Sequence, residues 1–531
     1  MLNTINTTNV YNPQTLSKEQ LVKNFVVREK TFKKLFREIE TSKMEYPEQH
    51  YMIVGERGMG KTTLLLRLAY EIENNGKLNK WLVPVVFNEE EYGIRKLYEF
   101  WKRIADILEE KDAGFIGLRE KMDAISGQYG DDEKYGKAVY EMLEEAIQKN
   151  KKKIIVFIDN VGDMFSKFSD IEAHRLRKVL QTSADIRIIA ASSQMADAFF
   201  NYKHPFYEFF KIEQLKGLGQ EETEKLLRAL AWSYEQKDKI NNLLENQKGR
   251  VEAMRRLTGG VVRTIIIWFD IFIEKGYSDA YNDVEAILDR MTPIYKHRMD
   301  DLPTQQQAIV EAIALNWDAV NVREIKQKTR MESKVISAQI TQLVKNNVVT
   351  RILTNTKNHL YKISERFFNI WYLMRCGKSG DKKKVADLIQ FMEIWCSDKN
   401  LIGQPEIYLK RLEKKQLERR GVYMVEEPRA PYLRMSEVEG NPKDRKDINK
   451  EKKRESIIDL MAEGKYSLVI DEYGKEHLFN ELKPFYYALM YYLQDIYPNE
   501  YLRMGDELKE TVEEVIAEVE QKRKELEEQV G

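Results

Sequence analysis

An α/β fold is predicted for this 531-residue chain. It should hold a mostly parallel sheet covered by helices, then a helical region, a small helix–turn–helix unit closed by a β-hairpin, and a helical C-terminal region. Three observations predict it. Short β-branched apolar runs ("YMIV", "WLVPVVF", "KKIIVFID", "IRIIAASS") are separated by helical patterns, the order that gives parallel strands with crossover helices. None of these runs alternates cleanly, as expected of strands covered on both faces. The length, at ~150 residues per domain, implies three or four domains.

Composition excludes several classes. Apolar residues make up 43% and charged residues 32% of the chain, a globular composition with a highly charged surface. Lys+Arg and Asp+Glu both number 86, so net charge argues for no particular partner and a nucleic-acid site has to be a local patch. The two cysteines, Cys376 and Cys396, have neither zinc nor disulfide-framework spacing, which fits a reducing, cytoplasmic setting. The N-terminus "MLNTINTTNVYNPQTL" lacks a basic start and an apolar core, so no signal peptide is expected. No apolar run approaches the ~20 residues of a membrane span.

The elements follow in order. Residues 1–22 are polar and Asn/Thr-rich and read as an extended tail. An α/β block covers 23–218, opening with a helix at "KTFKKLFREIE", where Phe32, Leu35, Phe36 and Ile39 share one face. Residues 219–298 read as helical. Residues 299–378 give three helical patterns and then two β-rich runs flanking Asn355–Asn358, a hairpin. A charged helical extension is expected at 379–420, and a Pro-containing charged linker at 421–454. Helices return over 455–531. From Asp506 onward ten acidic residues face four basic ones, a helix that either frays or pairs with another.

"GERGMGKT", Gly55 to Thr62, fits G-x-x-x-x-G-K-[ST]. Gly55, Gly58 and Gly60 let the backbone wrap closely and aim N–H groups at phosphates, with Glu56, Arg57 and Met59 contributing main chain. The helix that opens at Lys61-Thr62-Thr63 puts its positive end on the same anion. Lys61 is suited to the β- and γ-phosphates and Thr62 to Mg²⁺. ATP and Mg²⁺ are therefore the expected ligands. Asp159, ending "KKIIVFID", is the natural partner of Mg²⁺ through water, or else a polar strand end. Asn160 follows where many such enzymes carry glutamate. Asparagine accepts no proton, but it can orient a water. Asp163 offers a carboxylate or is a solvated loop acid. Ser192-Ser193 offers hydroxyls near a γ-phosphate or forms a turn.

In this order of motifs the chain resembles the AAA+ and STAND ATPases, in particular their origin-recognition-like and archaeal-ATPase-type branch, over residues 23–378. The resemblance implies an ATPase core at 23–218, a helical lid at 219–298 and a winged helix at 299–378. "FVVREKTFKKL" resembles the box that precedes the phosphate loop and packs near adenine, with Val27 where the family has glycine, so Arg28 and Glu29 carry over weakly. "LTGGVVRTIIIWF" resembles the lid motif whose arginine reaches back to the phosphates, which points to Arg263, with Gly259-Gly260 making the turn. Arg175 and Arg177 stand where such proteins carry a finger acting on a neighbouring subunit, so a homo-oligomer is implied.

Within the winged helix, Ile336, Ile340 and Leu343 share one face of the second helix. Lys334, Ala338, Thr341, Gln342 and Lys345 share the other, with Arg351 and Lys357 on the wing. From Asn321 to Lys378 there are twelve Lys/Arg against three Asp/Glu, which suits phosphate contacts with double-stranded DNA. Protein packing is the alternative use of this unit. "ERFFNIWYLMR" reads as core. In the C-terminal helices Tyr486, Tyr487, Tyr491 and Tyr492 line a groove for a protein partner or are packing residues. The function expected is a nucleotide-dependent switch that controls DNA or partner binding with slow ATP hydrolysis. The alternative is a nucleotide-stabilised scaffold that recruits protein and no DNA.

Overall fold

The four apolar runs become parallel strands, and a fifth strand joins them. The structure is a computed structural model that describes residues 13–88, 91, 93–193, 205–276, 279–397, 457–475, 478–479 and 482–530. The chain divides into two compact units, one of residues 1–241 with 260–276 and one of residues 242–259 with 277–531.

In the first unit the strands are β1 (Tyr51–Val54), β2 (Leu82–Val86), β3 (Lys153–Ile158), β4 (Ile186–Ser192) and β5 (Lys211–Gln214). They form one five-stranded parallel sheet ordered β2-β3-β4-β1-β5. The central strands are buried on both faces, which is why their sequences do not alternate. Side chains still divide by period two. Met52, Val54, Ile154, Val156, Ile188 and Ala190 pack under the helices Leu97–Lys111, Asp132–Lys149 and Asp170–Thr182. Tyr51, Ile53, Ile155, Phe157, Ile189 and Ala191 face the helices Glu29–Thr41 and Lys61–Asn74. Pro84 sits in β2, an edge strand, where a missing N–H removes no interior ladder bond.

The tail departs from expectation. Residues 18–22, predicted to belong to the extended tail, lie in a helix, Lys18–Asn24, opened by a reciprocal capping box between Ser17 and Gln20. Residues 1–12 lie outside the described residues.

His50, just before β1, is buried and stitches the sheet to a helix. Its Nδ1 accepts from the Ile188 N–H at 2.9 Å, and its Nε2 donates to the Leu180 carbonyl at 2.9 Å. Burial lowers its pKa from 6.5 to about 4. The unfolded chain therefore takes up the proton first as pH falls. The imidazole's contribution is intact above pH 6.5 and is lost toward pH 4, a change of about 3 kcal/mol. Urea midpoints of the first unit should fall over that window, and His50→Gln should remove the slope. A slope unchanged in the variant would refute the assignment.

The second unit is helical around one small sheet. The helix Thr304–Ala314, β6 (Val320–Asn321), the helices Val322–Thr329 and Ser333–Lys345, and the hairpin β7 (Val349–Ile352) and β8 (Leu360–Ile363) follow in order. The three strands are ordered β6-β8-β7 and are antiparallel. Ile336, Ile340 and Leu343 are buried, as the spacing requires. The helix Arg366–Cys376 buries Phe367, Phe368, Ile370, Trp371 and Leu373 and is core. The helix Ser379–Ser397 begins the expected extension, whose remainder, with the linker at 421–454, lies outside the described residues.

The acidic C-terminal helix Asp506–Val530 is paired. Leu508, Val512, Val515 and Val519 are buried, and it packs on the helices Ile457–Ala462 and Lys483–Tyr492. Arg256 donates to Glu514 at 2.7 Å and to the Thr511 hydroxyl at 2.7 Å, while Arg255 pairs with Glu510. Tyr486 and Tyr487 are buried packing residues.

Candidate nucleotide site

β1 runs directly into the glycine loop, and the helix Lys61–Asn74 leaves it. Gly58 and Gly60 hold φ angles of 86° and 88°, in the left-handed region that glycine enters without cost. The loop is tied down on several sides. The Gly55 N–H donates to the Ser192 carbonyl of β4 at 3.2 Å, and the Leu215 N–H donates to Val54 at 2.8 Å. The Arg263 N–H donates to the Gly58 carbonyl at 3.1 Å. A Cβ on Gly58 would lie 2.9 Å from the Arg263 Cβ, so this glycine is needed for close approach as well as for its φ.

Lys61 is buried, and its Nζ donates to the Gly55 and Glu56 carbonyls at 2.7 and 2.9 Å. The ammonium thus sits inside the loop. The Thr62 hydroxyl donates to Asp159 Oδ2, joining the helix start to the end of β3 across the sheet. Glu56 and Arg57 are exposed, Met59 is buried, and Thr62 and Thr63 are half-buried. Lys61, Thr62, Asp159 and Arg263 therefore all border one loop.

The fit to Mg²⁺ can be tested on the donor set. Thr62 Oγ1 and Asp159 Oδ2 are adjacent hard oxygens. No group of three His, Cys, Asp or Glu suited to a metal occurs among the described residues. Mg²⁺ beside nucleotide characteristically takes one or two protein oxygens and fills its shell from phosphate and water, so these residues fit it.

Asn160 has a backbone role invisible in sequence. Its φ is +49°, it stands at the N-cap position of the short helix Val161–Phe165 without a side-chain capping bond, and its N–H donates to Asp159 Oδ1 at 2.9 Å. Asparagine is among the few residues that tolerate this region, and a glutamate there would carry strain of about 1–2 kcal/mol. Asp163 is exposed on that helix. Ser192 is buried at the end of β4 and Ser193 half-buried beyond it.

Arg175 and Arg177 do not project as free fingers. Arg175 pairs with Glu133 and donates to its carbonyl at 2.7 Å. Arg177 donates to the Pro205 and Tyr207 carbonyls and lies over Phe209.

Arg28 carries the contact that sequence placed elsewhere. It is 7% exposed and has a φ of +66°. Its Nε donates to the Met59 carbonyl at 3.3 Å, and its Nη2 lies 3.6 Å from Met59 Sδ. The guanidinium thus meets the phosphate loop, where resemblance implied a place near adenine. Burial lowers its pKa, opposed by the Glu222 carboxylate. Its left-handed backbone is the signal that no residue pattern displays.

In the second unit, Lys334, Thr341, Gln342, Lys345, Arg351 and Lys357 are all exposed. The local cation excess is partly spent. Lys362 pairs with Asp506, Arg366 with Glu507, Arg375 with Asp289 and Lys326 with Glu332, and Lys328 reaches the Ala312 carbonyl. Arg323, Arg330, Lys334, Lys345, Arg351, Lys357 and Lys378 remain exposed, with no side-chain partner among the described residues. The Thr341 hydroxyl donates to the Ser337 carbonyl at 2.8 Å, which leaves it only as an acceptor. No described helix is long and apolar enough to cross a membrane.

Residues 6–82, which hold Arg28 and the phosphate loop, match the family model described as ORC-CDC6-like. Solved structures with similarity include the Walker-type ATPase of Pyrococcus abyssi. It shares 15% identity, covering 65% of this chain and 97% of that one, with a TM-score of 0.43. The Orc1 protein of Aeropyrum pernix, solved in complex with DNA, shares 11% identity, covering 67% and 94%, with a TM-score of 0.40. Cdc6p of Pyrobaculum aerophilum shares 13%, covering 72% and 97%, with a TM-score of 0.35. No curated protein matches the chain.

Proposed function

We propose that this chain is a P-loop ATPase of the AAA+ type and acts as an ATP-dependent switch that controls binding to double-stranded DNA and turns ATP over slowly. The observation that carries the DNA part is the polar, cationic face of the helix Ser333–Lys345 and its wing. The opposite faces of these elements are buried, while Lys334, Lys345, Arg351 and Lys357 stay exposed. A winged helix used only for packing has no need of that face.

At the nucleotide end, Lys61 and the first-turn amides would take the phosphates, and Thr62, with Asp159 through water, would hold Mg²⁺. Bound Mg²⁺ neutralises charge on the β- and γ-phosphates. Asp159 orients Thr62 through their hydrogen bond. Asn160 can align a water but cannot take its proton, which supports slow turnover. Arg263, held to Gly58 through its own N–H, would report loop occupancy to its helix, Val262–Lys275. Such a switch needs only different ATP affinities in two conformations. Cytoplasmic location and assembly into a homo-oligomer belong to the same proposal.

Fluorescence anisotropy with a mixed-sequence duplex, with and without Mg·ATP, tests it. Binding should weaken steeply with salt, and each of Lys334→Ala, Arg351→Ala and Lys357→Ala should reduce the log–log salt slope by about 1. Absent or salt-insensitive binding would remove the DNA part. It would leave the scaffold reading, for which Tyr491 and Ile496, 41% and 66% exposed in the C-terminal region, offer an apolar surface.

A further inference from the structure

We propose that Arg28 is a positioning residue for the phosphate loop: its guanidinium grips the Met59 carbonyl from behind and so holds the Met59–Gly60 peptide with the Gly60 N–H turned to the phosphate side. The inference rests on the ATP reading of the loop and names a residue that reading does not require.

The argument starts from the peptide unit. The described chain contains no cis peptide bond, so the carbonyl of Met59 and the N–H of Gly60 point in opposite directions across one plane. Fixing one fixes the other. Arg28 Nε fixes the carbonyl at 3.3 Å. The Gly60 N–H has no backbone partner among the described residues, as a group reserved for an anion should not. Gly60 itself, at φ +88° with nothing within 4 Å of an added Cβ, has no side chain to resist a flip of that peptide. The orientation therefore has to come from outside the loop.

The preceding peptide is pinned separately. The Gly58 carbonyl is held by the Arg263 N–H at 3.1 Å, and the Met59 N–H turns back to Glu56 at 3.3 Å. The Gly55 and Glu56 carbonyls are held by Lys61 from within the motif, whereas the Met59 carbonyl is held by a side chain from outside it, that of Arg28. Its second contact, with Met59 Sδ at 3.6 Å, fixes the fork on the same residue. The Met59 side chain is anchored in turn among Leu35, Leu64, Leu65, Leu215 and Val261. Arg28 bears the cost of a left-handed backbone, which a residue with a Cβ rarely adopts. Glu222 keeps its buried charge in place. A residue serving only to fill space would need neither the charge nor the fork.

The test is isothermal titration of Mg·ATP and Mg·ADP into the whole chain as wild type, Arg28→Ala, Arg28→Lys and Lys61→Ala, with thermal melts as the control for folding. The nest holds the phosphate shared by both nucleotides. Arg28→Ala should therefore weaken ATP and ADP alike by about tenfold, the equivalent of about 1.4 kcal/mol. Millimolar guanidinium should restore part of the loss in Arg28→Ala and none in Lys61→Ala. Arg28→Lys keeps the charge but cannot span the carbonyl and the sulfur, so it should fall between. Wild-type affinity in a folded Arg28→Ala, or a loss that guanidinium leaves untouched, overturns the proposal. Should Arg28→Ala not fold, wild-type affinity in Arg28→Lys overturns it as well. Failure of the wild-type chain to bind ATP would instead sink the nucleotide reading itself.

Discussion

Replacing Lys61 with alanine should weaken Mg·ATP binding by at least about 100-fold, to below detection in most titrations. The magnitude follows from two charge-assisted contacts to phosphate, each contributing about 1.5–3 kcal/mol. A second effect has the same sign. The ammonium donates to the Gly55 and Glu56 carbonyls, so its loss also leaves two converging loop carbonyls without their donor. Lys61→Arg would not repair this, because a planar fork cannot replace a compact ammonium inside the loop. Thr62→Ala separates cation from metal. It should leave Mg-free ADP binding near wild type and abolish the gain that Mg²⁺ provides. Steady-state turnover gives the catalytic half of the test. A wild-type rate no higher than that of Lys61→Ala would make the site a binding site only. Wild-type affinity in Lys61→Ala would place nucleotide somewhere other than this loop.

The residues of that site were legible because each belongs to a local pattern. Strand, glycine turn and Lys-Thr helix start lie within a dozen residues, and "IIVFID" states its own end. The sheet order was not legible. β4 inserts between β1 and β3, and pairing across more than a hundred residues leaves no local trace. Asn160 was read as a chemical departure, whereas its φ of +49° gives asparagine a conformational reason to stand there. Dihedral angles are not written in residue spacing, and for the same cause Arg28 was placed near adenine while its hold on the Met59 carbonyl went unseen. The helix at 18–24 was hidden by the Asn/Thr-rich composition around it, although "SKEQ" spells its cap. Charge counting overstated the basic patch, since long-range partners such as Asp289, Asp506 and Glu507 consume part of it. The stretch read as one lid, 219–298, is shared between the two units, with 242–259 and 277 onward joining the second. Periodicity shows that a helix has an apolar face and is silent on which core receives it.

Breaking the Arg366–Glu507 pair should destabilise the second unit severely, by about 3–5 kcal/mol for Arg366→Ala. Both side chains are almost fully buried. Arg366 donates through Nε and Nη2 to Glu507 at 2.9 and 3.1 Å, and through Nη1 to the Trp317 carbonyl and Asn369 Oδ1 at 2.8 and 2.9 Å. Trp317 Nε1 completes the carboxylate at 2.9 Å. The pair joins the start of the Asp506–Val530 helix to the helix Arg366–Cys376, so removing the arginine strands a carboxylate with no water to solvate it. Arg366 holds the Glu507 carboxyl down at about 2, against 4.5 for an ordinary one, despite burial that opposes it. The sign follows from that depression. The contribution is complete above pH 4.5 and is lost as pH falls toward 2, a span worth about 3 kcal/mol. Urea midpoints of the second unit should therefore hold between pH 7 and 5 and drop below 4.5, a later window than that of His50. Arg366→Ala should lower the midpoint at pH 7, and the double variant Arg366→Met with Glu507→Leu should recover most of it, because two apolar groups leave no charge to solvate. A loss under about 1 kcal/mol in Arg366→Ala, or a double variant no better than the single, would mean that apolar packing around Val512, Val515 and Val519 holds this helix without the pair.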